Sequence, residues 1–260
     1  VCSIDQIRRR ILLKGYLTLK KHLVLLAAIF CFAFPTARLS AQQEATKNIP
    51  RFSENGPAER ILNLDDLKDE LKKYNACTCK CGCYSQDIDH QAAEAIVFLR
   101  ARAAHRRQGE KLALVLDIDE TTLTNYEQML KADFGYDKAA NDAWIESAKA
   151  PAIPGTLRIF QEAKRLGVSV FFLTGRLEAQ RAATELNLHN VGFTDWQRLI
   201  LRSPAEASAT AQAYKSAARG TIQDEGFKIV LNVGDQWSDL RGKPEAEFSV
   251  KYPDPYYFLK

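Results

Sequence analysis

The chain has 260 residues, 46% of them hydrophobic and 26% charged, ordinary values for a globular chain able to bury a sizeable core. Its formal charge of +4 belongs to the start: residues 1–41 hold seven Lys and Arg against one acid, while the rest carries 29 basic and 31 acidic side chains, a net of −2. Residues 42–260 therefore lack the basic footprint of a nucleic-acid binder.

Residues 1–41 read as a signal peptide. Lys14, Lys20, Lys21 and His22 form a positive region, residues 23–34 are a 12-residue apolar run, and Pro35 with Leu39-Ser40-Ala41 offers a cleavage site before Gln42. Twelve apolar residues are too few to span a bilayer comfortably, so no membrane span is expected after cleavage. Cys31 lacks the small residues that precede a lipid-modified cysteine. Residues 1–13 read as sequence upstream of the true start, since the chain begins with Val. The expectation is export, to a periplasm or the cell exterior. Residues 42–58, with Pro50, Asn55-Gly56 and Pro57, read as a linker.

Residues 59–110 are expected to form an N-terminal helical extension. Leu62, Leu64, Leu67, Leu71 and Tyr74 share one helical face. A second helix is expected from an N-cap at Ser85 to about Arg107, burying Ile88, Ala92, Ile96, Leu99 and Ala103. Between them lie Cys77, Cys79, Cys81 and Cys83 at strict i, i+2 spacing. In an exported protein two disulfides or oxidised thiols are favoured over a Zn²⁺ or Cu(I) site, whose ligands usually come from wider spacings.

From residue 111 the pattern is that of a parallel α/β core. Leu112-Ala-Leu-Val-Leu116 is an apolar run that ends in Asp117-Ile-Asp119-Glu-Thr121. It reads as a buried strand, and the crevice of an open α/β sheet lies beyond such strand ends. A helix over 154–166, a strand over 168–173 ending in Thr174-Gly175-Arg176 and a helix over 177–188 follow. A short strand at 198–201, a helix over 208–225 and a strand over 227–233 ending in Gly234-Asp235-Gln-Trp-Ser-Asp239 come next, and 246–250 suggests a last strand. Any one of these polar strand ends is ordinary punctuation. Three in one chain, converging on one rim if the strands are parallel, point to a site. There are no internal repeats and no low-complexity segments.

Asp117-x-Asp119-x-Thr121, Thr174-Gly175-Arg176, Lys215 in Tyr214-Lys-Ser, and Gly234-Asp235-x-x-x-Asp239 resemble the four motifs of the haloacid dehalogenase superfamily. More narrowly, Asp117-Ile-Asp-Glu-Thr-Thr-Leu-Thr-Asn125, Phe171-Phe-Leu-Thr-Gly-Arg176 and Asn232-Val-Gly-Asp-Gln-Trp-Ser-Asp239 are similar to the secreted acid phosphatase branch, which includes plant acid phosphatases and vegetative storage proteins. Trp144, Ala150-Pro-Ala-Ile-Pro-Gly155 and the Pro253-Asp-Pro-Tyr-Tyr257 ending extend the likeness; the cysteine run departs from it. The resemblance implies a Rossmann-like parallel sheet flanked by helices over 111–260, with residues 124–153 as a small helical cap insertion.

It also implies an exported Mg²⁺-dependent acid phosphatase acting on small-molecule phosphate monoesters. Asp117 would be the nucleophile, forming an aspartyl-phosphate, and Asp119 the acid and base. Asp117, the backbone carbonyl of Asp119, and Asp235 would hold Mg²⁺, with Asp239 as a further ligand or a support. Thr174 and the amides near Gly175 would cradle phosphate at a helix N-terminus. Lys215 would put a positive charge on the phosphoryl group and keep Asp117 ionised, although a helix that also carries Arg219 could simply be solvated there. Arg176 either contacts phosphate or pairs with an acid, and Thr121 reads as a structural hydroxyl of the turn. Tyr126, Phe134, Tyr136 and Trp144 either wall a leaving-group pocket or pack the cap. His90, His105 and His189 are assigned no role. The resemblance allows a homo-oligomer. The rival reading is a storage or binding protein without activity on the same fold, and a third is a metal-binding or redox module built on the cysteine run.

Overall fold

The structure is a computed structural model that describes residues 63–77 and 83–259. The signal peptide and linker expected before residue 59, and Cys79 and Cys81, lie outside the described residues. The described chain runs α1 (Leu64–Ala76), α2 (Tyr84–Ala104), β1 (Lys111–Leu116), α3 (Tyr126–Lys131), α4 (Lys138–Glu146), α5 (Pro154–Arg165), β2 (Ser169–Leu177), α6 (Arg181–Asn190), β3 (Arg198–Arg202), α7 (Ala211–Asp224), β4 (Phe227–Gly234), α8 (Trp237–Leu240) and β5 (Phe248–Lys251).

The five strands form one parallel sheet in the order β3-β2-β1-β4-β5. This is the doubly wound arrangement the alternating pattern predicts. Its central strand shows why the apolar run of β1 has no polar face. Leu112, Leu114 and Leu116 point into one core layer with Ile88, Ala92 and Leu99 of α2 and Ile159, Phe160 and Ala163 of α5. Ala113 and Val115 point the other way, against Tyr214 and Ile222 of α7. A strand covered on both faces must be apolar at every position, and each fully buried Leu or Val contributes about 1.5–3 kcal/mol.

Helix α2 enters that core closely. Gly155, in the first turn of α5, leaves room for it: a Cβ there would stand 2.8 Å from Ile88 Cγ2 and 3.1 Å from Ala92 Cβ. The buried stripe of α2 is Tyr84, Ile88, Ala92, Ala95 and Leu99. Ala95 thus takes the place expected for Ile96, and Ile96 and Ala103 sit at the margin of the stripe, packed against the core but only half-buried. The helix also starts before Ser85. Cys83 is its N-cap residue, its carbonyl accepts from the amides of Gln86 and Asp87, and it is bonded to Cys77 in a disulfide. That cross-link, which the cysteine spacing predicts in kind, fixes where the second helix begins.

Two further boundaries differ from expectation. Strand β2 continues through Thr174, Gly175 and Arg176 to Leu177, and a short 3₁₀ turn (Glu178–Gln180) separates it from α6. The side chain of Gln180 accepts from the Leu177 amide at 3.0 Å, which stops the strand there and delays the helix. Helix α7 begins at Ala211 because Thr210 caps it, accepting from the Ala213 amide. Residues 124–153 carry two short helices, α3 and α4. Among the described residues no helix is long and apolar enough to cross a membrane.

Candidate active site

β1 lies between β2 and β4, so the three polar strand ends are neighbours. The Asp117 amide donates to the Val233 carbonyl at 3.0 Å, carrying the β1–β4 pairing one step past the strand. The loop that follows is tightly held. The Thr122 hydroxyl donates to the Asp117 carbonyl, at 2.5 Å, and the Thr156 hydroxyl to the Thr121 carbonyl, at 2.5 Å. Asp117 is thus fixed from both sides.

The carboxylates of Asp117, Asp235 and Asp239 are buried and offer oxygen atoms within 4.8 Å of one another. Lys215 reaches them from α7. Its Nζ donates to Asp117 Oδ1 and Asp239 Oδ1, each at 2.5 Å, with all three side chains less than a tenth exposed. The solvated reading of Lys215 fails, and so does the argument from Arg219. Arg219 is fully buried and donates to the carbonyls of Asp239, Arg241, Gly242 and Pro244. It lies one helical turn after Lys215, so the two cations share a face turned toward the site. That i, i+4 pair was the available sequence signal for Arg219.

The loop after β4 is shaped to present Asp239. A Cβ on Gly234 would collide with the Asp239 side chain, so only glycine lets that carboxylate fold back over the strand end. Asp239 Oδ2 accepts from the Gln236 amide at 2.9 Å. Asp235 accepts from Gln236 Nε2 at 2.8 Å and from the Thr121 hydroxyl at 3.1 Å. Thr121 therefore supports a carboxylate of the cluster rather than its own turn.

Asp119 is placed apart from this cluster. Arg176 grips it in a fork, Nη2 at 2.7 Å and Nε at 3.1 Å from Asp119 Oδ1 and at 3.1 Å from Oδ2. Of the two readings left open for Arg176, pairing with an acid is the one the structure bears out. The Asp119 carboxylate pairs with Arg176 and Asn125 and lies outside the group of Asp117, Asp235 and Asp239. The helix N-terminus expected at Thr174 and Gly175 is not there, because β2 runs on to Leu177. Thr174 is buried and accepts from the Arg176 amide at 3.1 Å. Gly175 is exposed, and a Cβ on it would meet nothing within 4 Å.

Burial and charge divide the two aspartates of β1. Burial pushes the Asp117 carboxyl up to about 7; Lys215 opposes this, while Asp239 and Asp119 add to it. Asp235 is raised well above the usual carboxylate range, first by burial and then by Asp117 and Asp239. Burial also acts upward on Asp119, but the Arg176 charge and hydrogen bonds outweigh it and hold the group below its ordinary value. Lys215 is raised, its two carboxylates overcoming burial.

Three buried carboxylates around one ammonium leave a net charge of −2 when ionised, in a setting of oxygen donors only. That charge and donor set fit a hard dication such as Mg²⁺. Asp117, Asp235 and Asp239 are the residues that would hold it.

The cap aromatics mostly pack. Tyr126 and Phe134 lie against Tyr256, with ring centroids 5.5 and 6.1 Å away, and Tyr136 is exposed. A cavity of about 480 Å³ opens beside Asp235, walled instead by Trp237, Lys251, Asp254 and the C-terminal tyrosines. Glu120, Asn125, Gln236 and Asp254 were not singled out from sequence, although all are buried or half-buried at the site. Asn125 closes the Asp117–Asn125 motif, and its polar side chain beside the catalytic loop was the signal. His90 and His105 are exposed, and His189 lies against Trp196, away from the cluster.

Comparison with known proteins matches this geometry. Residues 41–260 match the family described as HAD superfamily, subfamily IIIB (Acid phosphatase). Acid phosphatase 1 of Solanum lycopersicum is 39% identical over 179 residues, covering 68% of this chain and 69% of the relative. A stem 31 kDa glycoprotein of Glycine max is 34% identical over 88% of this chain and 84% of its own length. Vegetative storage protein 1 of Arabidopsis thaliana is 33% identical over 79% and 80%. The class C acid phosphatase of Bacillus anthracis with tungstate bound superimposes with a TM-score of 0.59 at 23% identity, over 74% of this chain and 86% of that one, a likeness of fold. With two neighbouring strand ends bringing buried carboxylates around one lysine, the chain belongs to subfamily IIIB of the HAD superfamily, the acid phosphatases, and is a phosphomonoesterase.

Proposed function

We propose that the chain hydrolyses small-molecule phosphate monoesters in two steps through an aspartyl-phosphate on Asp117. The observation that carries this reading is the meeting of Asp117, Asp235 and Asp239 around Lys215. In the first step a carboxylate oxygen of Asp117 attacks phosphorus, the ester P–O bond breaks, and Asp119 gives its proton to the departing alcohol. In the second, Asp119 takes a proton from water, which attacks the phosphorus of the aspartyl-phosphate and releases inorganic phosphate with Asp117 restored. Mg²⁺ bound by Asp117, Asp235 and Asp239 would neutralise the charge of the ester and of the developing transition state. Lys215 fixes Asp117 and Asp239 relative to each other, and Arg176 orients Asp119.

Export is part of the proposal. The leader read from sequence, the Cys77–Cys83 disulfide, which suits an oxidising compartment, and a relative described as a glycoprotein support it. The test is hydrolysis of p-nitrophenyl phosphate by purified residues 42–260 with Mg²⁺. EDTA and Asp117→Asn are expected to abolish it, and activity surviving Asp117→Asn would remove the covalent mechanism. The relatives described as vegetative storage proteins favour a second reading, a storage role without turnover. No hydrolysis across nucleotides, sugar phosphates and aryl phosphates between acidic and neutral pH would favour it.

A further inference from the structure

Asn125 sits between the catalytic loop and helix α4, and both of its side-chain N–H hydrogens are used. One hydrogen of Nδ2 goes to Asp119 Oδ1 at 2.9 Å and the other to Glu120 Oε2 at 2.9 Å. Its Oδ1 accepts from the indole Nε1 of Trp144 at 2.8 Å. An indole nitrogen can only donate, so the amide oxygen must face Trp144 and the amide nitrogen must face the two carboxylates. The reverse orientation would set an oxygen against the Asp119 carboxylate and an N–H against the indole N–H. Glu120 is held in turn: it adopts φ 56° and its carboxylate accepts from the Asn125 amide at 2.6 Å.

We infer that Asn125 and Trp144 are positioning residues that tie the orientation of the Asp119 carboxylate to helix α4 of the cap. This rests on the reading of Asp119 as the acid and base. Asp119 Oδ1 receives Arg176 Nη2, Arg176 Nε and Asn125 Nδ2, whereas Oδ2 receives only Arg176 Nε, at 3.1 Å. An oxygen ringed by N–H donors has no place for a proton, so Oδ2 is the atom that carries it to the leaving alcohol. Without the Trp144 N–H the oxygen side of the Asn125 amide loses its anchor, and the Nδ2 contact that helps distinguish Oδ1 from Oδ2 slackens. Trp144 comes from the cap, with its ring packed against the core, so displacing α4 would disturb the acid without touching the nucleophile or the carboxylate cluster.

The test uses two esters that differ in how much they need an acid. p-Nitrophenyl phosphate leaves as a stable anion, while ethyl phosphate needs its leaving oxygen protonated. Trp144→Phe keeps an aromatic ring, though a smaller one, and removes the N–H. It is expected to lower kcat/KM about tenfold for ethyl phosphate, the loss of one net hydrogen bond, and about twofold for the aryl ester. Asn125→Ser should show the same split if Trp144→Phe folds poorly. In an Asp119→Asn background, Trp144→Phe should cost the ethyl ester nothing further. Equal losses on both esters, or an undiminished loss in the Asp119→Asn background, would overturn the inference and leave Trp144 a packing residue. If Asp119→Asn itself fails to discriminate the esters, the acid role falls and the inference with it. If Asp119→Asn discriminates and Trp144→Phe does not, only the inference falls.

Discussion

Replacing Lys215 with Met removes the single ammonium shared by Asp117 and Asp239 while keeping most of the side-chain volume. Both bonds are 2.5 Å, and the three side chains are nearly inaccessible to water, so the carboxylates cannot recover by solvation. Breaking a buried pair from one side costs about 3–5 kcal/mol. For a domain of this size each kcal/mol shifts the melting temperature by about 2–4 °C, so a fall of about 6–20 °C is expected at pH 7 in EDTA. At pH 5 the loss should be smaller, because the cluster relieves itself by binding a proton. Saturating Mg²⁺ should return about 2.7 kcal/mol at a hundredfold excess over its Kd, since a dication supplies the charge the lysine supplied. The assay is thermal unfolding by circular dichroism, with Lys228→Met as an exposed-lysine control. A Lys215→Met variant melting with that control in EDTA at pH 7 would refute the reasoning.

Three other outcomes follow from the same geometry. Gly234→Ala should abolish Mg²⁺-dependent stabilisation, because its Cβ would occupy the position of the Asp239 side chain; a Tm that still rises with Mg²⁺ as in the parent would contradict this. In the metal-free protein, Asp117 with its carboxyl raised from 3.8 to about 7 binds a proton that the unfolded chain has released. Stability in EDTA should therefore decline between about pH 4 and pH 7, and Asp117→Asn should flatten that slope in denaturant titrations. Arg219→Lys should cost about 1–3 kcal/mol, because a lysine cannot reach four carbonyls at once; an unchanged urea midpoint would show that the loop around Asp239 holds itself.

The sheet was readable because a central parallel strand must be apolar throughout, and β1, β2 and β4 are written that way. Asp117, Lys215, Asp235 and Asp239 were readable because they end those strands or face them from the next helix. What could not be read depends on side chains choosing partners across the fold. Arg176 had two plausible anions, and only the position of Asp119 decides between them. Gln180 ends β2 by folding back on Leu177, a local event with no periodic signature. Arg219 looked like a solvated cation because its partners are carbonyls, which every loop offers and no residue type announces. Asn125 looked like loop polarity, since the cap helix that fixes it is 19 residues further on.

The two aspartates of β1 are one residue apart, yet their surroundings drive them in opposite directions. Asp117 shares one lysine with another buried acid and is pushed up to about 7. Asp119 has a guanidinium to itself and is held below its ordinary value. In the resting site this is the reverse of what the two steps need, a charged nucleophile and a protonated acid. Mg²⁺ held by Asp117, Asp235 and Asp239 would correct the first, because a cation on Asp117 favours its charged form. For the second, the protonated fraction of Asp119 grows about tenfold with each unit of falling pH until its lowered pKa is reached. Acid is therefore built into the demand for a proton on Asp119. With Mg²⁺ saturating, kcat/KM for ethyl phosphate should rise from pH 7 toward pH 5 more steeply than for p-nitrophenyl phosphate. Equal slopes for the two esters would mean that Asp119 is not the proton donor.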